Sequence, residues 1–243
     1  MRVVKVDAIS STNSFLKAYI KKHPTVKPLC VVAKNQIEGR GQRGSVWVSN
    51  PGENLTFSVY MPRLTSIYKD TFKLSALVAL AIKNTLVKYD MPKVSIKWPN
   101  DILSRQHKIS GILIENMMSQ GDEGASIVGV GLNVNQEEFV GLPKATSMKL
   151  MCETPFDLDD VLFSLLDELE AVPELFNRND LSFVRSLYYK SLFRYQKISM
   201  LQFPDGTLAQ GLLKGIDNFG RLVVEFEDDR LESFDVKEIQ IKY

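Results

Sequence analysis

The sequence predicts an α+β fold: a mixed, mostly antiparallel sheet carrying helices, followed by a small C-terminal β-barrel. Three observations predict it. Between Leu55 and Leu132, short apolar or alternating segments are joined by turn-type residues with few helical patterns between them. That spacing favours hairpins over a doubly wound parallel sheet. The pattern from Asp70 to Tyr89 is helical, and with Phe72, Leu74, Leu77, Val78, Leu80, Ala81 and Leu86 it is too apolar for a surface helix, so it must pack across the sheet. From Lys197 onward the texture changes to short strands, Ile198–Phe203, Thr207–Ile216, Arg221–Phe226, Arg230–Val236 and Ile239–Ile241. Pro204-Asp-Gly206, Asp217-Asn-Phe-Gly220 and Glu227-Asp-Asp229 are the turns between them, a small-barrel pattern. The boundary is placed near Tyr195, giving a first domain over 1–194 and a second over 195–243.

Composition narrows the class. With 44% hydrophobic and 24% charged residues in a chain of 243, the core can be large enough to need no disulfides. Lys+Arg 30 against Asp+Glu 29 leaves a net charge of +1, which argues against a protein built mainly to hold nucleic acid and leaves room only for a local basic patch. Cys30 and Cys152 lie far apart in apolar surroundings and read as reduced, buried residues of a cytosolic protein. No apolar run approaches the ~18 residues of a membrane span. The opening Met1-Arg-Val-Val-Lys-Val is too short in apolar residues for a signal peptide. The expected location is the cytoplasm.

In order along the chain, Val3–Val6 reads as a strand. Ser10-Ser-Thr-Asn-Ser14 precedes Phe15, Leu16, Tyr19 and Ile20 at helical spacing, so a hydroxyl or amide there can cap a helix, and the same groups can face a ligand at a helix N-terminus. Lys21–Pro28 is a loop. Leu29–Ala33 is a buried strand. The stretch from Lys34 to Trp47 then carries Gly39, Gly41 and Gly44 with Arg40 and Arg43 between them. Glycines let backbone N–H groups approach an anion, and arginine adds a planar charged fork, so this loop suits phosphate or carboxylate and should be mobile until filled. A long solvated hairpin accounts for the same residues. The spacing fits neither a Walker loop nor a dinucleotide fingerprint. Leu55–Met61 alternates, with Leu55, Phe57, Val59 and Met61 on one face. Pro62–Lys69 is a connection.

Past the long helix, Val94–Lys97 is a strand entering Trp98-Pro-Asn-Asp101, where Pro99 breaks the ladder. Ile102-Leu103 resume, Ser104–Lys108 is a hairpin turn, Ile109–Glu115 a strand, Gly121-Asp-Glu-Gly124 a turn and Ala125–Leu132 a strand. Lys97, Asn100, Asp101 and Lys108 are polar groups at strand ends or turns, where ordinary turn chemistry also explains them. Gly129 and Gly131 weaken an apolar strand, which suggests that a ligand or another backbone comes close. Trp47 and Trp98 fit a core. His23 and His107 are isolated, and with two separated cysteines they make no metal cluster. Pro143–Ser147 is a loop, Asp157–Val172 an amphipathic helix that Pro173 ends or kinks, and Leu181–Leu192 a further helix.

Taken together, Ser11-Thr-Asn13, Gln36 with Gly39-Arg-Gly-Gln-Arg-Gly44 and Trp47, Lys97-Trp-Pro-Asn-Asp101, Lys108-Ile-Ser-Gly111 and Gly129-Val-Gly-Leu-Asn133 resemble the biotin protein ligases (biotin–[acetyl-CoA-carboxylase] ligases), in the family's order and across nearly the whole chain. The pattern from Gly206 to Leu222 is similar to the family's SH3-like barrel. The resemblance implies ATP-dependent formation of biotinyl-5′-AMP, then transfer of biotin to a lysine of a biotin carboxyl carrier protein, with Mg2+ bridging phosphates. It implies catalytic roles for Arg40 and Lys108 at the biotin carboxylate and α-phosphate. It assigns Ser11, Thr12, Asn13, Gln36, Gly39, Gly41, Gln42, Gly111 and Gly129 to the biotin side. Arg43, Trp47, Asn100, Asp101, Gly131, Leu132 and Asn133 go to the nucleotide side, with Arg43 either holding the triphosphate or ordering the loop and Asp101 a candidate metal contact.

Two departures stand out. Many relatives carry arginine where this chain has Gln42, so weaker retention of the adenylate is expected. Larger relatives carry an N-terminal DNA-binding helix-turn-helix, whereas here the ligase strand begins almost at Met1, so no DNA role is expected. Exposed sheet edges leave pairing with a twin subunit or with the carrier's strand open. The rival readings are a lipoate–protein ligase, a non-enzymatic nucleic-acid binder built on Arg40, Arg43 and the barrel, and a structural interaction module.

Overall fold

The computed structural model describes residues 1–117 and 123–243. The chain runs β1 (Arg2–Ile9), α1 (Thr12–Lys22), β2 (Leu29–Gln36), β3 (Leu55–Thr65), α2 (Thr71–Lys88), β4 (Val94–Lys97), β5 (Asp101–Ser104), β6 (His107–Met117) and β7 (Glu123–Leu132). It continues with α3 (Met148–Cys152), α4 (Leu158–Glu170), α5 (Val172–Arg178), α6 (Leu181–Tyr189), β8 (Ile198–Gln202), β9 (Leu208–Ile216), β10 (Leu222–Glu225), β11 (Leu231–Phe234) and β12 (Gln240–Lys242). The first sheet has seven strands in the order β1-β2-β3-β7-β6-β5-β4, and the second has five in the order β11-β10-β9-β8-β12. β1 and β2 run parallel because α1 supplies the crossover that parallel strands require; the other pairs are antiparallel. The architecture is the expected α+β sheet with an SH3-like second sheet.

The hydrophobic pattern sets the layers. α2 lies on one face of the large sheet and packs against α4, α5 and α6. Its Leu74, Val78, Ile82 and Leu86 join Phe57, Val59, Val128 and Val130 in the main core. On the other face, α1 inserts Leu16 and Ile20 against Leu29, Val31, Tyr60 and Ile127. β3 is therefore buried on both faces over Leu55–Met61, not on the single face that its alternation predicts. That second layer covers only part of the face, and the remainder opens into the cavity described below.

Several boundaries differ from the expected ones. Pro62 lies inside β3, not in a connection; the register shifts between Met61 and Leu64, and Arg63 takes φ 59°, so a bulge absorbs the missing N–H. His107 and Lys108 belong to β6, and the turn shrinks to Arg105-Gln106 with Arg105 at φ 55°. Pro173 ends α4 and sits in the first turn of a separate helix, α5, the position where a missing N–H costs nothing. α3, capped by Ser147 Oγ accepting from the Leu150 N–H, has no counterpart among the sequence expectations. In the turn expected at Gly121-Asp-Glu-Gly124, Gly121 and Asp122 lie outside the described residues, while Glu123 and Gly124 open β7.

The second sheet docks through polar ties as well as shared core. The Trp98 indole N–H donates to the Gly220 carbonyl at 2.9 Å. The Tyr189 hydroxyl accepts from Ile216 N–H at 2.8 Å and lies 2.9 Å from its carbonyl. Among the described residues no helix is long and apolar enough to cross a membrane.

The two cysteines part company. Cys30 is fully buried in β2, and burial pushes its thiol up to about 12. Cys152 is only half-buried, not buried as expected. Under an uncharged alkylating reagent, Cys152 is expected to react in the native protein and Cys30 only after denaturation. Peptide mapping of the labelled sites checks this, and equal rates at both would contradict the placement of Cys30.

Candidate active site

The site begins with the helix N-terminus that β1 delivers to the sheet. Ser11 takes the cap position of α1 but makes no side-chain cap bond, contrary to the simplest reading of the serine-rich stretch. The orphan Thr12 N–H is met instead from across the sheet: Gln36 Oε1, at the end of β2, accepts from Thr12 N at 2.8 Å and from Thr12 Oγ1 at 3.0 Å. Ser58 on β3 reaches Thr12 Oγ1 at 2.7 Å and also touches Asn13 Oδ1. The Asn13 amide donates to Glu115 Oε2 at 2.8 Å and to the Leu113 carbonyl at 3.3 Å. Ser11, Thr12 and Asn13 are each buried. The bonded Thr12 and Asn13 side chains form a rigid polar floor.

Two strand glycines shape the wall. A Cβ at Gly129 would fall 2.4 Å from Asn13 Oδ1, and one at Gly131 would fall 2.3 Å from the Trp47 ring. A Cβ at Gly111 would also meet the Trp47 ring, at 3.1 Å. The close neighbours expected at Gly129 and Gly131 are thus two side chains of the protein itself. Trp47 comes down from the long loop between β2 and β3. Its N–H donates to the Gly39 carbonyl at 2.9 Å, and a side chain at Gly39 would collide with the Trp47 carbonyl. The loop tip closes with Gly41 N–H on Ser45 O at 2.7 Å and Ser45 N–H on Gln42 O at 3.1 Å, around left-handed Arg43 (φ 47°) and Gly44 (φ 81°).

Between floor, wall and loop lies a cavity of about 240 Å³. It brings together Ser11, Thr12, Asn13 and Gln36 from the floor, Arg40, Gly41, Gln42 and Trp47 from the loop, Asn100 and Asp101 from the turn before β5, and Lys108, Gly111, Gly129 and Gly131 from β6 and β7. Its cations are paired. Arg40 donates to Ser14 Oγ at 2.8 Å and lies 3.4 Å from Glu115 Oε2. Lys108 Nζ is 2.6 Å from Asp101 Oδ1 and 5.6 Å from the Trp47 ring centre. Two buried polar atoms that face this space, Trp47 Nε1 and Gln42 Oε1, have no partner. In a native fold such atoms call for a ligand or solvent to meet them.

A second cleft of about 260 Å³ continues past Trp47 and Lys108 to Asn133, Lys144 and Tyr243. Asn133 is held by donating to Thr146 O at 2.8 Å. The ammonium groups of Lys97 and Lys144 stand 5.0 Å and 4.2 Å from the Tyr243 ring centre. Burial pulls the Lys97 pKa below the usual lysine range, with Lys108 and Lys144 adding repulsion and Asp101 opposing it. Three lysines against one carboxylate make this end of the site attractive to a polyanion.

Four sequence candidates stand elsewhere. Gly39 is buried beneath the loop, Leu132 points into the core, and Asn133 lines the second cleft. Arg43 turns away from the cavity onto Asp235, at 2.7 Å. Conversely, Ser58, Glu115, Lys144, Val236, Lys237 and Tyr243 belong to the site and went unnoticed in the sequence. A serine and a glutamate inside apolar strands were the available signals for the first two. Nothing local marks the others, since their contacts close only through the tertiary fold.

The sequence model of the biotin/lipoate A/B protein ligase family matches residues 6–133, more than half of the chain. The chain belongs to this family. Among curated members, it is 30% identical over 227 residues to the bifunctional ligase/repressor BirA of Salmonella typhimurium, covering 92% of this chain and 69% of that protein. It is 27% identical over 218 residues to the biotin–[acetyl-CoA-carboxylase] ligase of Mycobacterium tuberculosis, covering 88% and 80%. Among solved structures, the biotin protein ligase from Aquifex aeolicus in complex with biotin and ATP superposes with a TM-score of 0.78 at 22% identity, covering 99% of this chain and 98% of that one. That likeness establishes the ligase fold over both sheets.

Because Gly131 seats the indole, Gly131→Ala should lift Trp47 off the wall. The expected outcome is a red-shifted tryptophan emission and a loss of about 1–3 kcal/mol from overpacking, read by fluorescence and by denaturant unfolding. An unchanged spectrum would contradict the seat.

Proposed function

We propose that this chain is a biotin protein ligase, which activates biotin as biotinyl-5′-AMP at the expense of ATP and passes it to a lysine of a biotin carboxyl carrier protein. The observation that carries the reading is the cavity in which Arg40 and Lys108 line the same space as a polar floor whose Thr12 and Asn13 side chains are held by Gln36, Ser58 and Glu115. The named ligases among its relatives support it. The action belongs in the cytoplasm.

The chemistry asks for two anions to meet, the biotin carboxylate and the α-phosphate, so cations are needed where negative charge accumulates. Lys108, presented by Asp101, and Arg40, presented by Ser14 and Glu115, are the groups for this task. Thr12, Asn13, Gln36 and Ser11 hold the vitamin's polar ring against the strand at Gly129. Trp47, Asn100, Asp101, Gly131 and Asn133 take the nucleotide, whose base extends into the second cleft. Leu132 has a buried side chain and can contribute only backbone. Arg43 orders the loop and does not hold the triphosphate. Catalysis is positioning plus charge neutralisation, with no covalent enzyme intermediate.

Magnesium fits as a passenger on the phosphates. Among the described residues there is no cluster of His, Cys, Asp and Glu fit to cage an ion, and Asp101 is the carboxylate that lines the cavity. The metal would shield phosphate charge there, while Asp101 keeps Lys108 oriented.

Incubation with ATP, magnesium, biotin and a carrier domain should add one biotin to the carrier, read by mass spectrometry. Lys108→Ala should lose biotin-dependent exchange of pyrophosphate into ATP by about 10²-fold or more, the scale of removing one charge stabiliser; near-normal exchange would refute the assignment. Because the family also includes lipoate ligases, biotin and lipoate should be offered in competition, and preferential lipoate transfer would replace this reading. Gln42 reaches the cavity with an uncharged amide. Gln42→Arg should therefore release the adenylate more slowly than the parent, and equal release rates would defeat that expectation.

A further inference from the structure

The loop over the cavity has little to hold it down. None of Gln42, Arg43 and Gly44 is buried, and the tip's own bonds amount to a short turn. Arg40 ties the loop's base to Ser14 and Glu115, while what reaches the tip comes from the connection after β11. Arg43 Nη2 donates to Asp235 Oδ1 at 2.7 Å, and the Lys237 ammonium donates back to the Arg43 carbonyl. Two charged residues about 190 positions away in the chain thus hold Arg43, one at its guanidinium and one at its main-chain carbonyl.

The grip is built, not incidental. Asp235 is fixed before it meets the loop: its Oδ1 accepts from Val236 N–H at 2.7 Å, and its own N–H donates to Glu238 Oε2 at 2.7 Å. Arg43 and Lys237 both take left-handed backbone conformations, φ 47° and 75°, which side chains of their length disfavour. Val236 and Lys237 themselves line the cavity beside Gln42 and Arg40. The second sheet therefore supplies part of the wall and the latch of the loop that forms the rest.

We propose that Asp235 and Lys237 are positioning residues of the reaction: they latch the Gly39–Gly44 loop over the cavity and so retain the activated intermediate until the acceptor arrives. The proposal rests on the ligase reading for the identity of what is retained, but not for the latch itself. Opening the latch lets the adenylate leave without altering Arg40 and Lys108, and Asp235→Asn does so without removing any cation from the cavity. An exposed ion pair contributes only modestly, so each variant should shift loop opening by roughly twofold to fivefold.

The test uses the full chain with Asp235→Asn, Lys237→Met, and the exchanged pair Arg43→Asp with Asp235→Arg. Limited trypsin digestion of the unliganded protein, followed by mass spectrometry at the bond after Arg40, reads loop opening. Release of radiolabelled biotinyl-adenylate from preloaded enzyme reads retention. The expected result is cleavage and release both faster by about twofold to fivefold in each single variant, an unchanged thermal midpoint, and partial recovery of both rates in the exchanged pair. Unchanged cleavage in both single variants overturns the latch. Faster cleavage with unchanged release, or a lowered midpoint without faster release, overturns the positioning role. A parent protein that forms no adenylate would sink the ligase reading, and the digestion arm would still decide the latch.

Discussion

The seat of Trp47 on Gly111 and Gly131 is the contact on which the site depends. Without it, the long connection between β2 and β3 keeps only polar ties, from Arg40 to Ser14 and Glu115 and from Arg43 to Asp235. The indole cannot do this alone. Burying a large apolar side chain is worth on the order of 1.5–3 kcal/mol, whereas ordering each backbone residue costs about 1–2 kcal/mol. One ring therefore offsets the ordering of one or two loop residues. The rest must come from polar ties at the tip and from whatever occupies the cavity, which is why a loop so rich in glycine and arginine can respond to its ligand.

The charges around the cavity obey a second constraint. Lys108, half-buried, has Asp101 as its partner, and the more exposed Arg40 is oriented by Ser14 and Glu115. These carboxylates keep the cationic side chains extended in the right direction while the site stands open. An incoming anion then meets groups already aimed and does not wait for long side chains to order, which lowers the cost of reaching the reactive arrangement.

Much of this could be read in the sequence where local pattern and tertiary fold agree. The apolar stripe of α2, the strand that becomes β7 and the short strands of the second sheet needed no distant partner to be recognised. Thr12 and Asn13 stood out as a polar cluster at a helix start, while Gln36 joins them only through the fold. The misreadings have a common physical origin. Lys108 looked like a turn residue because the β5–β6 register slips between Ile102 and Leu103, which lengthens β6 toward His107. Pro62 looked like a terminator because a bulge was invisible. The Ser10–Asn13 cluster looked like a source of side-chain caps because nothing local announces that Gln36 will satisfy the helix instead. Between holding phosphate and ordering the loop the sequence could not choose for Arg43, because its partner, Asp235, follows β11 about 190 positions away.

The Trp98 indole is bonded to Gly220, and Trp98 precedes Asn100 and Asp101 by only two and three positions. The short segment that carries two of the cavity's polar groups is thus pinned at its base to the terminal barrel. Where Asn100 and Asp101 stand, and with them the carboxylate that meets Lys108, is therefore set in part by a carbonyl of the other sheet.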